Sequence, residues 1–157
     1  MLRQITDTLG PLPEDVFRRA ETEIGVPLPE PYKQFLQQFN GGRPEPARFR
    51  IEWREQPFAK RFPYDGVHVL FGFQDGSPSD FLRNLQDYRA RIPEDTVPIG
   101  CDPGGNLLLL GLTGPNAGKV FLWVQDYEVE EGETPDYSNV GLIAPSFDEF
   151  LRSLYDK

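Results

Sequence analysis

From Ile24 to Gly42 the sequence IGVPLPEPYKQFLQQFNGG spaces Tyr32, Phe35, Leu36 and Phe39 at i, i+3, i+4 and i+7, the apolar stripe of a helix. Pro29 and Pro31 stand where it begins, at positions whose missing N–H costs little. Asn40, Gly41 and Gly42 stand where it stops, because these residues accept the left-handed backbone that ends helices. A preceding helix is predicted from about Pro13 to Glu23. Glu14 and Asp15 suit its N-terminus, Val16, Phe17, Ala20 and Ile24 form its face, and Gly25 ends it. The two form a helical hairpin joined by a short proline-containing turn.

The pattern loosens from Arg43 to Asp65, where Pro44, Pro46, Pro57 and Pro63 interrupt it and Phe49 to Trp53 alternates like a strand within long loops. Val67 to Phe73 alternates better, with Val67, Val69, Phe71 and Phe73 on one face. A third helix follows, with Ser77 as N-cap, Pro78 as first helical residue, Asp80 as reciprocal acidic partner, and Phe81, Leu85 and Tyr88 as its stripe. Strands are predicted at Val97 to Cys101, Asn106 to Leu112, Lys119 to Gln125 and Tyr137 to Ile143, the second and third joined by a hairpin loop over 113–118. LLLL and VFLWV are apolar on both faces, which places them centrally under helices. The last helix carries Ser146 and Glu149 at capping-box spacing and Phe147, Phe150, Leu151 and Leu154 as its stripe. The whole reads as one domain over residues 1–157 of α+β class: a single mainly antiparallel sheet packed against helices.

Composition agrees with this and narrows the chemistry. In 157 residues, twelve Phe, six Tyr and two Trp supply a sizeable core. A formal charge of −9 opposes nucleic acid and anionic membranes as partners and is read either as solubility or as a match for a cationic partner. Cys101 is the only cysteine, so no internal disulfide forms, and its apolar neighbourhood predicts a buried, inert thiol. The N-terminal MLRQITDTLG lacks an apolar h-region and no segment is long and apolar enough to span a bilayer; a cytoplasmic protein is expected.

A search for catalytic sets is mostly negative. His68 is the only histidine and sits in a strand pattern with no cue for a partner, and one His with one Cys cannot build a zinc site from those ligands. PIGCDPGGN, Pro98 to Asn106, resembles a phosphate loop but feeds a strand, so it is read as a tight turn in which Asp102 or Asn106 bonds the backbone. Arg43, Arg48, Arg50, Arg54, Lys60 and Arg61 interleave with Phe49, Trp53 and Phe58, as in nucleic-acid binders. Glu45, Glu52 and Glu55 dilute that set, which favours a solvated face or internal ion pairs.

The acidic tract Asp126, Tyr127, Glu128, Glu130, Glu131, Glu133 and Asp136 follows the VFLWV strand, and Arg152 is the only basic residue between Val120 and Asp156. If the strand continued past Gln125, Asp126, Glu128 and Glu130 would share one face at intervals of about 6.6 to 6.8 Å. That spacing is too wide for a proton-sharing dyad, and the tract lacks the glycine and terminal Glu of a calcium loop. It suits a row of acceptors for Lys and Arg on another protein, or a solvated loop.

The residues also resemble a known family. Ile24, Gly25, Leu28, Pro29, Tyr32, Phe35, Leu36 and Asn40-Gly41-Gly42 are similar to the signature of the SUKH superfamily, in its Smi/Knr-like group. Pro98-Ile99-Gly100, Asp102, Gly104-Gly105-Asn106, Gly118-Lys119-Val120-Phe121, Trp123, Asp126, Ala144-Pro145-Ser146-Phe147 and Phe150-Leu151 follow in order. The resemblance spans about Phe17 to Leu154. It implies an α+β fold without catalytic residues or cofactors. Bacterial members are typically immunity proteins that neutralise a cognate polymorphic toxin, often a nuclease, and fungal members are cell-wall and signalling regulators. The expectation is thus an immunity protein that binds a basic toxin domain through Asp126 to Asp136; the alternative is a regulatory or scaffolding module without a toxin. An enzyme using His68 with Asp102 would require both side chains in one pocket.

Overall fold

The computed structural model describes residues 2–54 and 56–156, so Glu55 lies outside the described residues. The chain opens with β1 (Gln4–Thr6), followed by α1 (Glu14–Ile24) and α2 (Glu30–Gln38). Gly25 ends α1 at φ 90°, and Pro31 occupies the first turn of α2. Both helices match their stripes: Phe17, Ala20, Tyr32, Phe35 and Leu36 are buried.

The proline-rich segment is more structured than its pattern suggests. It contains β2 (Arg43–Glu45), β3 (Arg48–Arg50), α3 (Gln56–Arg61) and β4 (Tyr64–Gly66). β1 pairs with β2, and β3 with β4, as two antiparallel ribbons. These strands are three residues long and exist through partners distant in sequence, a signal that local alternation does not carry. Pro57 does not break α3, because it is the second residue of that helix, where no N–H is required.

The rest forms the main sheet and its cover: β5 (Val69–Leu70), α4 (Phe81–Tyr88), β6 (Thr96–Cys101), β7 (Leu107–Gly111), β8 (Val120–Trp123), β9 (Val140–Ala144) and α5 (Phe147–Ser153). The five strands are antiparallel in the order β5-β6-β7-β8-β9. The α+β class with helices on an antiparallel sheet is therefore what the chain adopts. Both sheet edges are occupied: Leu70 exchanges backbone hydrogen bonds with Gly42 (2.8 and 3.1 Å), and Leu142 with Glu52 (2.9 and 2.7 Å). Each edge strand is thus met by a bridge at one residue, which shortens the ladder open to edge-to-edge pairing.

Two local expectations change. The strand expected over Val67 to Phe73 shortens to Val69–Leu70, with His68 in a bend before it. The cap of α4 is Asp80 rather than Ser77. The Asp80 carboxylate accepts from the N–H groups of Arg83 (2.9 Å) and Gln74 (2.8 Å), whereas the Ser77 hydroxyl accepts from Ser79 (3.1 Å) within the preceding turn. Ser146 does cap α5, accepting from the Glu149 N–H at 3.2 Å.

Aromatic packing ties the helices together. Phe147 of α5 meets Tyr32 edge-on at 5.2 Å and Phe35 at 5.2 Å, while Phe81 of α4 lies 6.3 Å from Tyr32. Tyr32 is 0% exposed, and its hydroxyl has no hydrogen-bond partner among the described residues. Burial pushes that phenol's pKa up, so it stays neutral. A buried unsatisfied hydroxyl is a liability, and Tyr32→Phe is expected to raise stability by about 1 kcal/mol in urea unfolding. A loss of that size would mean that the hydroxyl has a partner in solution.

Candidate functional site

The acidic tract begins where two asparagines end β8. The Asn106 side chain accepts from the Gln125 N–H (3.0 Å), and the Asn139 amide donates to the Val124 carbonyl (2.9 Å). With those ladder positions taken by side chains, Gln125–Tyr127 turns into a short 3-10 helix. The strand does not continue, so Asp126, Glu128 and Glu130 do not form a row along one strand face.

Three anchors hold the segment instead. The Tyr127 ring meets Phe58 of α3 edge-on at 5.1 Å, and its hydroxyl accepts a hydrogen bond from Arg61. Glu128 makes a two-pronged pair with Arg91, Nε to Oε2 at 3.0 Å and an η nitrogen to Oε1 at 2.7 Å. The same guanidinium lies over Tyr88 (4.6 Å) and Trp123 (5.8 Å), and the Glu128 hydrogen bond holds its pKa above the usual arginine value. The Tyr137 hydroxyl donates to Asp95 (2.6 Å), and its ring packs edge-on against Phe121 (5.4 Å). Burial and the Asp95 carboxylate both raise the pKa of that phenol.

Between these anchors a turn closes on Gly132 at φ 89°, with the Glu133 N–H bonded to the Glu130 carbonyl and the Glu133 carboxylate accepting the Glu130 N–H, each at 3.0 Å. Asp136 accepts from the hydroxyl (2.6 Å) and N–H (3.0 Å) of Ser138, bonds that keep it ionised by lowering its pKa. The carboxylates of Asp126, Glu130 and Glu131 are exposed and have no ion-pair partner among the described residues. Of the seven residues in the tract, Tyr127 and Glu128 serve chiefly to dock it, while Asp126, Glu130, Glu131, Glu133 and Asp136 face solvent.

The remaining candidates separate. His68 is exposed, and its backbone N–H donates to the Cys101 carbonyl at 2.8 Å. Asp102 is 5% exposed and turned into its own loop, accepting from the N–H groups of Gly104 (2.9 Å) and Asn106 (2.7 Å) and from the Asn106 amide (2.9 Å). The tight-turn reading of that loop holds, and no hydrogen bond joins His68 to Asp102. Cys101 is half-buried rather than fully buried; burial first and Asp102 second raise its thiol pKa, which keeps it unreactive. Among the described residues no three His, Cys, Asp or Glu are grouped to hold a metal ion, and no helix is long and apolar enough to cross a membrane.

The basic set is dispersed over rings and ion pairs. Arg43 pairs with Asp7 (3.3 Å), Arg48 lies over Tyr64 (4.6 Å) and Arg50 over Tyr155 (5.1 Å). Phe49 is fully buried, whereas Trp53 stacks on Phe58 at 4.9 Å beside the acidic tract. Sequence reading missed this convergence, because α3 and the tract meet across 66 residues from Arg61 to Tyr127.

Comparison with known proteins gives the scaffold its place. The chain is 28% identical over 169 residues to the SPbeta prophage-derived uncharacterized protein YokK of Bacillus subtilis (strain 168), an alignment covering 99% of this chain and 83% of that protein. The family model described as SMI1 / KNR4 family (SUKH-1) matches residues 11–153, from the turn before α1 to the last residue of α5. With the helical pair, the Asp102 turn and the α5 cap all inside that span, the chain belongs to the SMI1 / KNR4 family (SUKH-1).

Proposed function

We propose that this chain is a non-enzymatic, cytoplasmic immunity protein that binds and neutralises a cognate toxin domain carrying a basic surface. The observation that carries the reading is the anchored acidic loop, which holds the carboxylates of Asp126, Glu130 and Glu131 in solvent without an ion-pair partner among the described residues. A loop fixed at both ends loses less conformational freedom on binding than a free one, and its carboxylates complement Lys and Arg on a partner. The net charge of −9 extends the same field over the molecule and steers a cationic partner toward it.

The test begins with co-purification alongside the product of the adjacent gene. The kinetic arm is the triple variant Asp126→Lys, Glu130→Lys, Glu131→Lys. Glu128 is left intact because reversing it would break the Arg91 pair and confound folding with binding. Association should slow by about tenfold or more at low salt and lose most of its salt dependence, while dissociation changes less. Unchanged association kinetics would place the interface elsewhere. A neighbourhood lacking any large secreted protein with a variable C-terminal domain would favour a regulatory module.

A further inference from the structure

Pairing in the β3–β4 ribbon sorts its side chains onto two faces. Phe49 and Asp65 are register partners and turn inward: Phe49 is fully buried and meets Phe150 at 6.2 Å, and Asp65 is half-buried beside Asp102. Arg48 and Arg50, the two neighbours of Phe49, therefore share the outer face. Tyr64 joins them there as the register partner of Arg50. Tyr155 joins them as the bridge partner of Arg48, through backbone hydrogen bonds of 3.2 and 3.0 Å that lay the segment after α5 alongside β3.

On that face the side chains cross diagonally, with Arg48 over Tyr64 at 4.6 Å and Arg50 over Tyr155 at 5.1 Å. A ring holds a guanidinium in place but leaves its N–H donors to find other partners. Arg61 and Arg91, which also lie over rings, have found theirs in the Tyr127 hydroxyl and the Glu128 carboxylate. Among the described residues the guanidiniums of Arg48 and Arg50 make neither a hydrogen bond nor an ion pair. The acids around them do not fill the gap. Asp156 is taken by Arg3 at 2.6 Å, and Asp65, its pKa raised to about 8 chiefly by burial, keeps its proton at neutral pH. Glu52 continues the row two residues beyond Arg50 without pairing to it, so the face holds a surplus of positive charge on a chain whose formal charge is −9.

We propose that this face is a second docking surface, opposite in sign to the acidic loop, which takes an extended, carboxylate-bearing segment of a partner protein, one acid to each guanidinium. Arginines already held against rings lose less rotamer freedom on pairing, and their forked donors match a carboxylate in two-pronged geometry. Arg48 and Arg50 leave their strand about 6.6 to 6.8 Å apart, the repeat at which alternate residues of an extended chain project. Tyr64, 50% exposed, adds apolar area beside them. A nucleic acid fits less well. Base stacking needs ring faces that the arginines here occupy, and a polyanion meets the repulsion of the whole chain, whereas a segment with two acids can belong to a partner that is neutral or basic overall. A second copy of the chain carries the same repelling charge. The inference goes beyond the immunity reading and needs no toxin.

The probe is the peptide acetyl-Glu-Ser-Glu-Ser-Glu-amide, with its glutamine counterpart, titrated into the full chain at low salt and followed by NMR on the arginine Nε–H signals and the Tyr64 ring. The Arg48, Arg50 and Tyr64 signals should shift saturably with the acidic peptide, and the uncharged peptide should bind about tenfold more weakly. The double variant Arg48→Gln, Arg50→Gln should weaken the acidic peptide by a similar factor, with unchanged amide signals in the main sheet showing that the fold is intact. Arg50→Lys keeps the charge but not the fork, and should weaken it about threefold. Equal response to the two peptides, or no response at Arg48 and Arg50, overturns the assignment. Tighter binding of a thymidine decamer than of the acidic peptide gives the face to nucleic acid and overturns it too, as do shifts that grow with protein concentration alone, which would seat a second copy's acidic loop there. Charge reversal at Asp126, Glu130 and Glu131 should leave the peptide bound. Silence of the peptide alongside loop-dependent toxin binding therefore removes this face and spares the immunity reading; peptide binding without any toxin partner does the reverse.

Discussion

Gly72→Ala is expected to lower the thermal midpoint by about 10 °C, a loss of about 3 kcal/mol or more. The cause is a backbone crossing between the end of α2 and the segment after β5. A Cβ at Gly72 would stand 2.7 Å from the Asn40 carbonyl carbon, 2.8 Å from its Oδ1, and closer still to its carbonyl oxygen. Asn40 has no room to yield. It holds a left-handed backbone at φ 53°, is 5% exposed, and its Oδ1 accepts from the Phe73 N–H at 2.7 Å. On the other side of the crossing, a Cβ at Gly41 would meet the Gly72 nitrogen at 2.9 Å. The control is Gly76→Ala. Gly76 also has a positive φ, 83°, but nothing lies within 4 Å of its Cβ position, so the backbone cost of about 1 kcal/mol should be the whole effect. Equal losses for the two variants would show that the crossing relaxes, and that chain conformation rather than steric conflict sets the cost.

That crossing gives the Asn40-Gly41-Gly42 motif a second meaning. As sequence it stops a helix; in the fold it also joins α2 to the edge of the sheet through Gly42 and Leu70, a long-range role with no local signature. The same division runs through the molecule. The stripes of α1, α2, α4 and α5 were legible because a helix buries one face whatever it packs against, and LLLL and VFLWV were legible because fully buried strands are apolar on both sides. The ribbons β1–β2 and β3–β4 were not, since three residues alternate too briefly to register and their pairing reaches up to 41 residues along the chain. At the site, the acidic residues were visible by composition alone. Which of them are free was not, because Glu128 is taken by Arg91, 37 residues away, and Tyr127 by α3, hidden behind Pro57. Arg48, Tyr64 and Tyr155 lie in separate segments and come together through the β3–β4 pairing and the bridge from Arg48 to Tyr155.

Asp65→Asn is expected to stabilise the protein at pH 8 and to leave it nearly unchanged at pH 5. Asp65 sits in β4, half-buried, beside the nearly buried Asp102 of the β6–β7 turn. Burial and the Asp102 carboxylate push its pKa up to about 8, against smaller opposing effects from the Gly66 N–H and the Arg48 guanidinium. The folded chain therefore keeps a proton on Asp65 between roughly pH 4 and 8 while the unfolded chain has lost it. Where the folded state binds the extra proton, stability falls as pH rises, so this contribution is complete below pH 4 and is lost as pH climbs through the folded value. Asparagine imitates the protonated acid: its carbonyl can still accept from Gly66, as the carboxylate does at 2.8 Å, and its amide can donate to Asp102. Solvent reaching the half-exposed side chain limits the gain to about 2 kcal/mol at pH 8, far less than the full shift in pKa would give. Urea unfolding of both proteins from pH 5 to 8 should show the curves diverging, with the wild type falling and the variant holding level. Parallel curves would mean that Asp65 titrates as an ordinary carboxylate and that the β3–β4 ribbon meets the Asp102 turn with one charge more than the geometry implies.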